Sequence, residues 1–170
     1  MREQVPGNRF MQQLTTLYID KESHKFSAAH YTIFSGTERE RLHGHNYSVS
    51  ASIVAPMGDN GFSADYNVYK NRIKELCDDL DEYMLLAGDS PYQEIEELEE
   101  NYRVRFAGEE MLFLKSDTQV LPLRNATVEE FSQLLLQRLV AASAGEDLCE
   151  VELGVASGPG QRASATWRRP

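Results

Sequence analysis

The sequence predicts an α+β fold in which an antiparallel β-sheet carries two helices. Three observations predict it. From His43 to Ile53 the side chains alternate, with His43, His45, Tyr47, Val49, Ala51 and Ile53 on one face and Asn46, Ser48, Ser50 and Ser52 on the other. That is the pattern of a half-buried strand. Two later segments place apolar residues at the three-to-four-residue spacing of amphipathic helices. The chain then closes with two strand-like stretches around the turn sequence GPGQ.

Taken in order, residues 1–16 are polar and mixed and form an N-terminal arm, ahead of a single domain over residues 17–170. Leu17 to Ala29 is rich in β-branched and aromatic residues and predicts a long strand with room for a bulge. Tyr31 to Arg41, with its Gly, Ser, Thr and charges, predicts a loop, and APMGDNG ends the strand that starts at His43. Asn67 to Leu85 predicts the first helix through Tyr69, Ile73, Leu76, Cys77, Leu80 and Met84, a spacing that assigns Cys77 to the core rather than to chemistry. Glu94, Glu96, Glu97, Glu99 and Glu100 predict a solvated acidic face, and NYRVRFAGEEMLFLK a hairpin around Gly108. Thr127 with Glu130 forms a capping box that opens a second helix through Val128, Phe131, Leu134, Leu135 and Leu139, ending before Gly145. LCEVELGVAS and ASATWRR are the closing strands, so the order is ββα(β)αββ.

Composition excludes several classes. No apolar run approaches the ~18 residues of a membrane-spanning helix. MREQVPGNRFMQQL lacks the apolar core of a signal peptide, and an early Glu3 with no basic amphipathic run argues against a mitochondrial presequence. A cytoplasmic protein is expected. Acidic residues outnumber basic ones 27 to 17, which argues against a nucleic-acid binder but leaves room for a small anionic substrate in a local pocket. Cys77 and Cys149, the two cysteines, lie in no CxxC pair and predict buried, reduced thiols.

Histidine is scarce, with four in the chain, and two of them stand one residue apart at the mouth of a strand. Residues two apart on a strand share a face, so His43 and His45 project together and can hold one metal ion. Two ligands do not make a stable zinc site. His30 ends the preceding strand in FSAAH, and a hairpin would set it opposite the pair. Three imidazoles leave one position open, the pattern of a catalytic rather than a structural zinc. His24, the fourth, reads as a solvated or partly packed strand residue.

These residues carry a resemblance. FSAAH, then LHGHNY, then GFSADYNVYKNRIKEL, with NATVEEFSQLLLQRL before VASGPGQRASA, resemble the 6-pyruvoyl-tetrahydropterin synthase / 6-carboxy-tetrahydropterin synthase family over roughly Leu17 to Arg168. The resemblance implies a tunnelling fold, in which an antiparallel sheet has two helices on one face and three subunits close a barrel. It also implies a homohexamer of two stacked trimers, with active sites between subunits. It implies that His30, His43 and His45 bind a catalytic Zn2+ and that the substrate is a pterin, usually 7,8-dihydroneopterin triphosphate.

The chain departs from the usual family pattern in three places. No cysteine stands shortly before HGH; the window reads Glu38, Arg39, Glu40, Arg41, Leu42. It is similar to a branch with Glu in place of Cys and a long insert ending like SDTQVLPL, described as cleaving the side-chain carbon–carbon bond to give 6-hydroxymethyl-7,8-dihydropterin. Glu40 is then the first candidate base and Glu38 the second, the bland alternative being that both are solvated loop charges. A carboxylate can relay a proton if desolvation raises its pKa. Where the family has an Asp–His pair after the first helix, this chain has Asp81 and Glu82. Where it has a Glu that anchors the pterin's guanidine-like edge, this chain has Ser157. Thr127 matches a pterin-lining position and is equally a helix cap. The readings that follow are a zinc-dependent pterin lyase, a homologue acting on a different pterin-like substrate, and a non-catalytic oligomeric binding protein.

Overall fold

The computed structural model describes residues 13–170. Strands β1 (Leu14–His30) and β2 (His43–Pro56) pair antiparallel from Leu14 opposite Pro56 to His30 opposite His43. The register shifts between Asp20 and Lys25, which is the expected bulge. β1 starts at Leu14, so Leu14 to Thr16, assigned above to the arm, belong to the sheet; residues 1–12 of that arm lie outside the described residues. The alternation in β2 holds, with Tyr47, Val49, Ala51 and Ile53 buried. His24 is also buried, in the bulge, and so is packed more fully than the solvated or partly packed residue expected.

Helix α1 (Tyr66–Asp78) stops short of the expected Leu85. Asp65 caps its start by accepting from the Asn67 N–H at 2.8 Å. Its far end unwinds through a bond from the Leu80 N–H to the Cys77 carbonyl and reverses at Glu82, whose φ is 65°. β1 captures the chain there: Glu82 donates to the Ser27 carbonyl at 2.7 Å, and the Asp81 carboxylate accepts from the Ser27 N–H at 2.6 Å. The apolar run that follows fits a helix tail and a buried strand equally well by periodicity. It forms β3 (Tyr83–Ala87), parallel to β1, with Met84 to Ala87 all buried.

The middle of the chain folds into a second sheet of three antiparallel strands, β4 (Glu94–Glu97), β5 (Asn101–Phe106) and β6 (Glu109–Leu114). The expected hairpin turns on Ala107 and Gly108, both with positive φ (47° and 82°), the requirement of a tight two-residue connection. Part of the acidic run is a strand rather than free surface. Glu96 pairs with Arg103 and Arg105 at 3.1 and 3.0 Å, and Glu97 with Lys115 at 2.7 Å. Such exposed pairs contribute little stability each.

A single 3-10 turn (Lys115–Asp117) leads to β7 (Thr118–Leu121), parallel to β3. Then come α2 (Val128–Ala142), β8 (Glu150–Gly158) and β9 (Gln161–Arg168). The main sheet has the order β7-β3-β1-β2-β8-β9, so the expected antiparallel sheet is extended at one edge by two short parallel strands. Both helices pack on one face of it. Phe26, Tyr47 and Ile53 of the sheet enclose Ile73 of α1 and Phe131, Leu135 and Leu139 of α2. The small sheet builds a second core, in which Val104 and Phe106 meet Tyr31, Ile33, Met84 and Leu86. β3 therefore serves two cores, giving Leu85 and Ala87 to the first and Met84 and Leu86 to the second.

Candidate active site

The β1–β2 register sets the site. His30 ends β1 directly opposite His43, and His45 follows on the same face. Their ligating nitrogens all lie within 4.8 Å of one another. His30 is buried; His43 and His45 are partly exposed toward a cleft. The Nδ1 of His30 donates to the Ala126 carbonyl at 2.7 Å, and that of His43 to the Arg41 carbonyl, also at 2.7 Å. Those two bonds fix the tautomers, leaving an Nε2 lone pair on each ring aimed inward. This is the way second partners usually orient metal-binding histidines.

The donor set fits a metal ion. The Nε2 of His30 is buried without a partner. The Nε2 atoms of His43 and His45 approach to 3.0 Å, so two ring nitrogens face each other with a cation or a shared proton required between them. Two ligands on one tetrahedral zinc would lie about 3.3 Å apart at Zn–N distances near 2.0–2.1 Å. Burial holds the His30 imidazole below its ordinary value against the opposing pull of the Ala126 carbonyl, with the nearby His43 and His45 adding to the lowering. The ring is therefore neutral, the form that binds metal.

A cleft of about 240 Å³ opens beside the triad, lined by His30, Thr32, Phe34, Glu40, His45, Tyr47, Thr127, Val128, Glu129, Ser157 and Gln161. Glu40 is thus beside the histidine cluster and Glu38 is not: Glu38 is exposed on the loop and lines no part of the cleft. The Glu40 carboxylate accepts from the Thr32 N–H at 3.0 Å. Burial pushes this carboxyl up, but hydrogen bonds from Thr32 and the nearby His43 and His30 outweigh it, and the net position is below the usual carboxylate range. Glu40 is therefore ionised and able to accept a proton, its surroundings lowering rather than raising its pKa.

Thr127 stands at the junction of the cleft and α2. It lines the cleft and caps α2, its hydroxyl accepting from the Glu130 N–H at 3.5 Å. The box is modified, because Glu130 reaches back to Arg124 rather than to Thr127. Ser157 also lines the cleft and donates to the Gln161 side-chain oxygen at 3.2 Å. Asp81 and Glu82 line no part of the cleft that holds Glu40. They meet β1 at Ser27, and Glu82 lines a separate groove together with Ser27, Asn46 and His45.

Three residues escaped the sequence reading. Asn125 is the most consequential: its amide donates to the Ile33 carbonyl at 2.8 Å, and its oxygen accepts from the N–H groups of Ile33 (3.0 Å) and Ala126 (3.1 Å). It ties the Glu40 loop to the peptide that orients His30. Tyr47 places a buried, unpartnered hydroxyl at the cleft, and burial lifts its pKa well above the ordinary phenol value. Glu129 adds an exposed carboxylate at the rim. Periodicity marked Tyr47 as core, which it also is, and the first turn of a helix gives no signal for Glu129 beyond its charge.

The fold and site define a pterin-synthase-like protein with three histidines converging at a sheet end. The family model for 6-pyruvoyl tetrahydropterin synthase matches residues 18–166, and the chain belongs to that family. Over 109 residues the chain is 27% identical to a Methanocaldococcus jannaschii protein named provisionally as a 6-carboxy-5,6,7,8-tetrahydropterin synthase, covering 64% of this chain and 66% of that one, just under two thirds of its length. The structures of 6-pyruvoyl tetrahydropterin synthase from Plasmodium falciparum and Plasmodium vivax superpose with TM-scores of 0.86 and 0.87 at 26% identity, covering 92% of this chain and 99% of theirs. Two P. vivax structures, 25% identical to this chain, carry Ala or Cys in place of a glutamate described as the catalytic residue. The tunnelling fold expected from the sequence is thereby established for the chain.

Proposed function

We propose that the protein is a zinc-dependent lyase acting on 7,8-dihydroneopterin triphosphate to give 6-hydroxymethyl-7,8-dihydropterin. The observation that carries this reading is an ionised Glu40 carboxylate sharing one cleft with His30 and His45 of the three convergent imidazoles. The catalytic glutamate of the P. vivax relative supports it. His30, His43 and His45 would hold the zinc, which when bound supplies a Lewis acid that acidifies a coordinated hydroxyl.

The remaining steps belong to the chain's own residues. Glu40 accepts the proton of the hydroxyl on the second side-chain carbon. The bond between the first and second side-chain carbons breaks, and a two-carbon aldehyde leaves with the triphosphate. The released electron pair passes into the conjugated ring system, and the first carbon is then protonated. Phe34, largely exposed at the rim, offers a ring face for a flat heteroaromatic. Thr127, Ser157 and Glu129, which line the same cleft, would meet its polar edge. Little pyruvoyl product is expected, because that route needs proton transfers the usual Cys and Asp–His pair would share.

The protein is proposed to be cytoplasmic and to form a homohexamer, a dimer of trimers, with no nucleic-acid or membrane partner. The sheet ends at β9 on one side and the short β7 on the other, edges that invite pairing with further copies. Asp81 and Glu82 would then act across a subunit boundary. No helix among the described residues is long and apolar enough to cross a membrane.

The deciding experiment incubates zinc-loaded protein with 7,8-dihydroneopterin triphosphate and separates the products by chromatography, alongside the Glu40→Ala variant. The hydroxymethyl pterin should appear with wild type and be lost with the variant. Ser157, in place of an anchoring carboxylate, favours one other reading, a different pterin-like substrate. Absence of product, together with no pterin binding by a Ser157→Glu variant, would select it.

A further inference from the structure

One side chain joins the small β4–β6 sheet to the Glu40 loop. The guanidinium of Arg39 lies against two rings, 5.2 Å from the centre of Tyr31 and 5.8 Å from that of Phe106 at the end of β5. Its Nη2 donates to Glu109, the first residue of β6, at 3.1 Å. Its Nη1 donates to the main-chain carbonyl of Glu40 at 2.9 Å. Glu109 is mostly exposed, while Arg39 is mostly covered. The pairing therefore fixes the arginine more than it stabilises the fold.

The Glu40 peptide is consequently held at each end. Its N–H donates to the Thr32 carbonyl at 2.8 Å, its carbonyl accepts from Arg39, and its carboxylate accepts from the Thr32 N–H at 3.0 Å. Thr32 thus holds the Glu40 N–H and carboxylate, and Arg39, anchored on the hairpin, holds its carbonyl. Tyr31 is tied down in turn, its hydroxyl donating to Gln93 at 2.7 Å and the Gln93 amide to the Ala87 carbonyl at 2.8 Å. Only arginine combines a flat face for the rings with a fork of donors for Glu109 and the Glu40 carbonyl.

We propose that Arg39 is a positioning residue, through which the β5–β6 hairpin fixes the Glu40 peptide and so the direction of the carboxylate in the cleft. This rests on the reading of Glu40 as the proton acceptor. The second sheet, on this inference, is a brace for the reacting carboxylate rather than an independent surface module.

The test compares Arg39→Met and Arg39→Lys with wild type in the zinc-loaded full chain, with Arg105→Gln as a control on the same sheet. Metal content, kcat, KM and amide hydrogen exchange at Thr32 and Glu40 are measured. With metal content unchanged, both Arg39 variants should lose about 10- to 100-fold in kcat with KM little altered, the cost of a misdirected catalytic group. Their Glu40 amide should exchange at least about tenfold faster. Lysine should not rescue, because the fork and not the charge does the positioning. Arg105→Gln should leave kcat within about twofold. Unchanged exchange at Glu40 in Arg39→Met overturns the inference. Faster exchange with wild-type kcat and KM overturns it too, by reducing Arg39 to a stabilising contact. If wild type turns over no pterin, the functional reading fails on its own, and the exchange measurement alone still decides the brace.

Discussion

Asn125→Ala tests how the loop, the helix and the metal site are joined. The substitution leaves three main-chain groups without their partner: the N–H and carbonyl of Ile33 and the N–H of Ala126. Both residues are buried, at 5% and 3% exposure, so water replaces the lost bonds poorly. Taking the low end of about 1–3 kcal/mol per unpaired buried group gives about 3 kcal/mol in all. At about 2–4 °C per kcal/mol for a chain of this size, the midpoint should fall by about 6–12 °C. Zinc affinity should weaken as well, because the Ala126 carbonyl orients His30. Loss of such an orienting partner costs about 10–100-fold. Asn125→Asp keeps the acceptor but sets a carboxylate oxygen against the Ile33 carbonyl, so it should still destabilise, by at least the ~1 kcal/mol of one unpaired group. Calorimetry and a competitive zinc titration provide the readouts. A midpoint within about 1 °C of wild type with unaltered zinc affinity would refute the reasoning, since it would mean the three groups find other partners without cost.

Three further outcomes are expected. Glu40→Gln should lower turnover by about 10²–10⁴-fold while zinc is retained, and Glu38→Gln should leave it near wild type, as paired steady-state assays will show. Burial holds the His24 imidazole below its ordinary value, partly opposed by a hydrogen bond with the backbone of Lys70 and by Asp20. The unfolded chain therefore binds the proton more readily, and stability should fall as the pH drops from about 6.5 toward the folded value, a slope that His24→Gln should flatten in denaturant titrations. Gly88→Ala places a Cβ 2.9 Å from the Leu121 carbonyl, where the backbone of β7 must give way, and should destabilise by about 1–3 kcal/mol in the same titrations.

Much of this protein is legible in its sequence where local periodicity and long-range packing agree. The alternation from His43 to Ile53 marks β2 because one face of that strand is buried and the other is not. The same face puts His43 and His45 side by side, and a hairpin between consecutive strands brings His30 opposite them. Cys77 and the second helix follow from spacing alone, since both lie against the common core.

What tertiary structure decided lies where one pattern permits two outcomes. Met84 and Leu85 continue the apolar period of α1, yet they form a parallel strand, because Asp81 and Glu82 bind the Ser27 peptide and β7 supplies the other edge. No local signal distinguishes the two, since a strand buried on both faces has no alternation. The acidic stretch looks solvated, but cross-strand arginines organise it into the edge of a second sheet. Glu38 and Glu40 lie two apart in one loop, and only the bonds to Thr32 and Arg39 direct Glu40 to the histidines. Asn125 carries no pattern at all; its role exists only because the chain folds Ile33 against the start of α2, about ninety residues away, where a single side chain can satisfy both peptides.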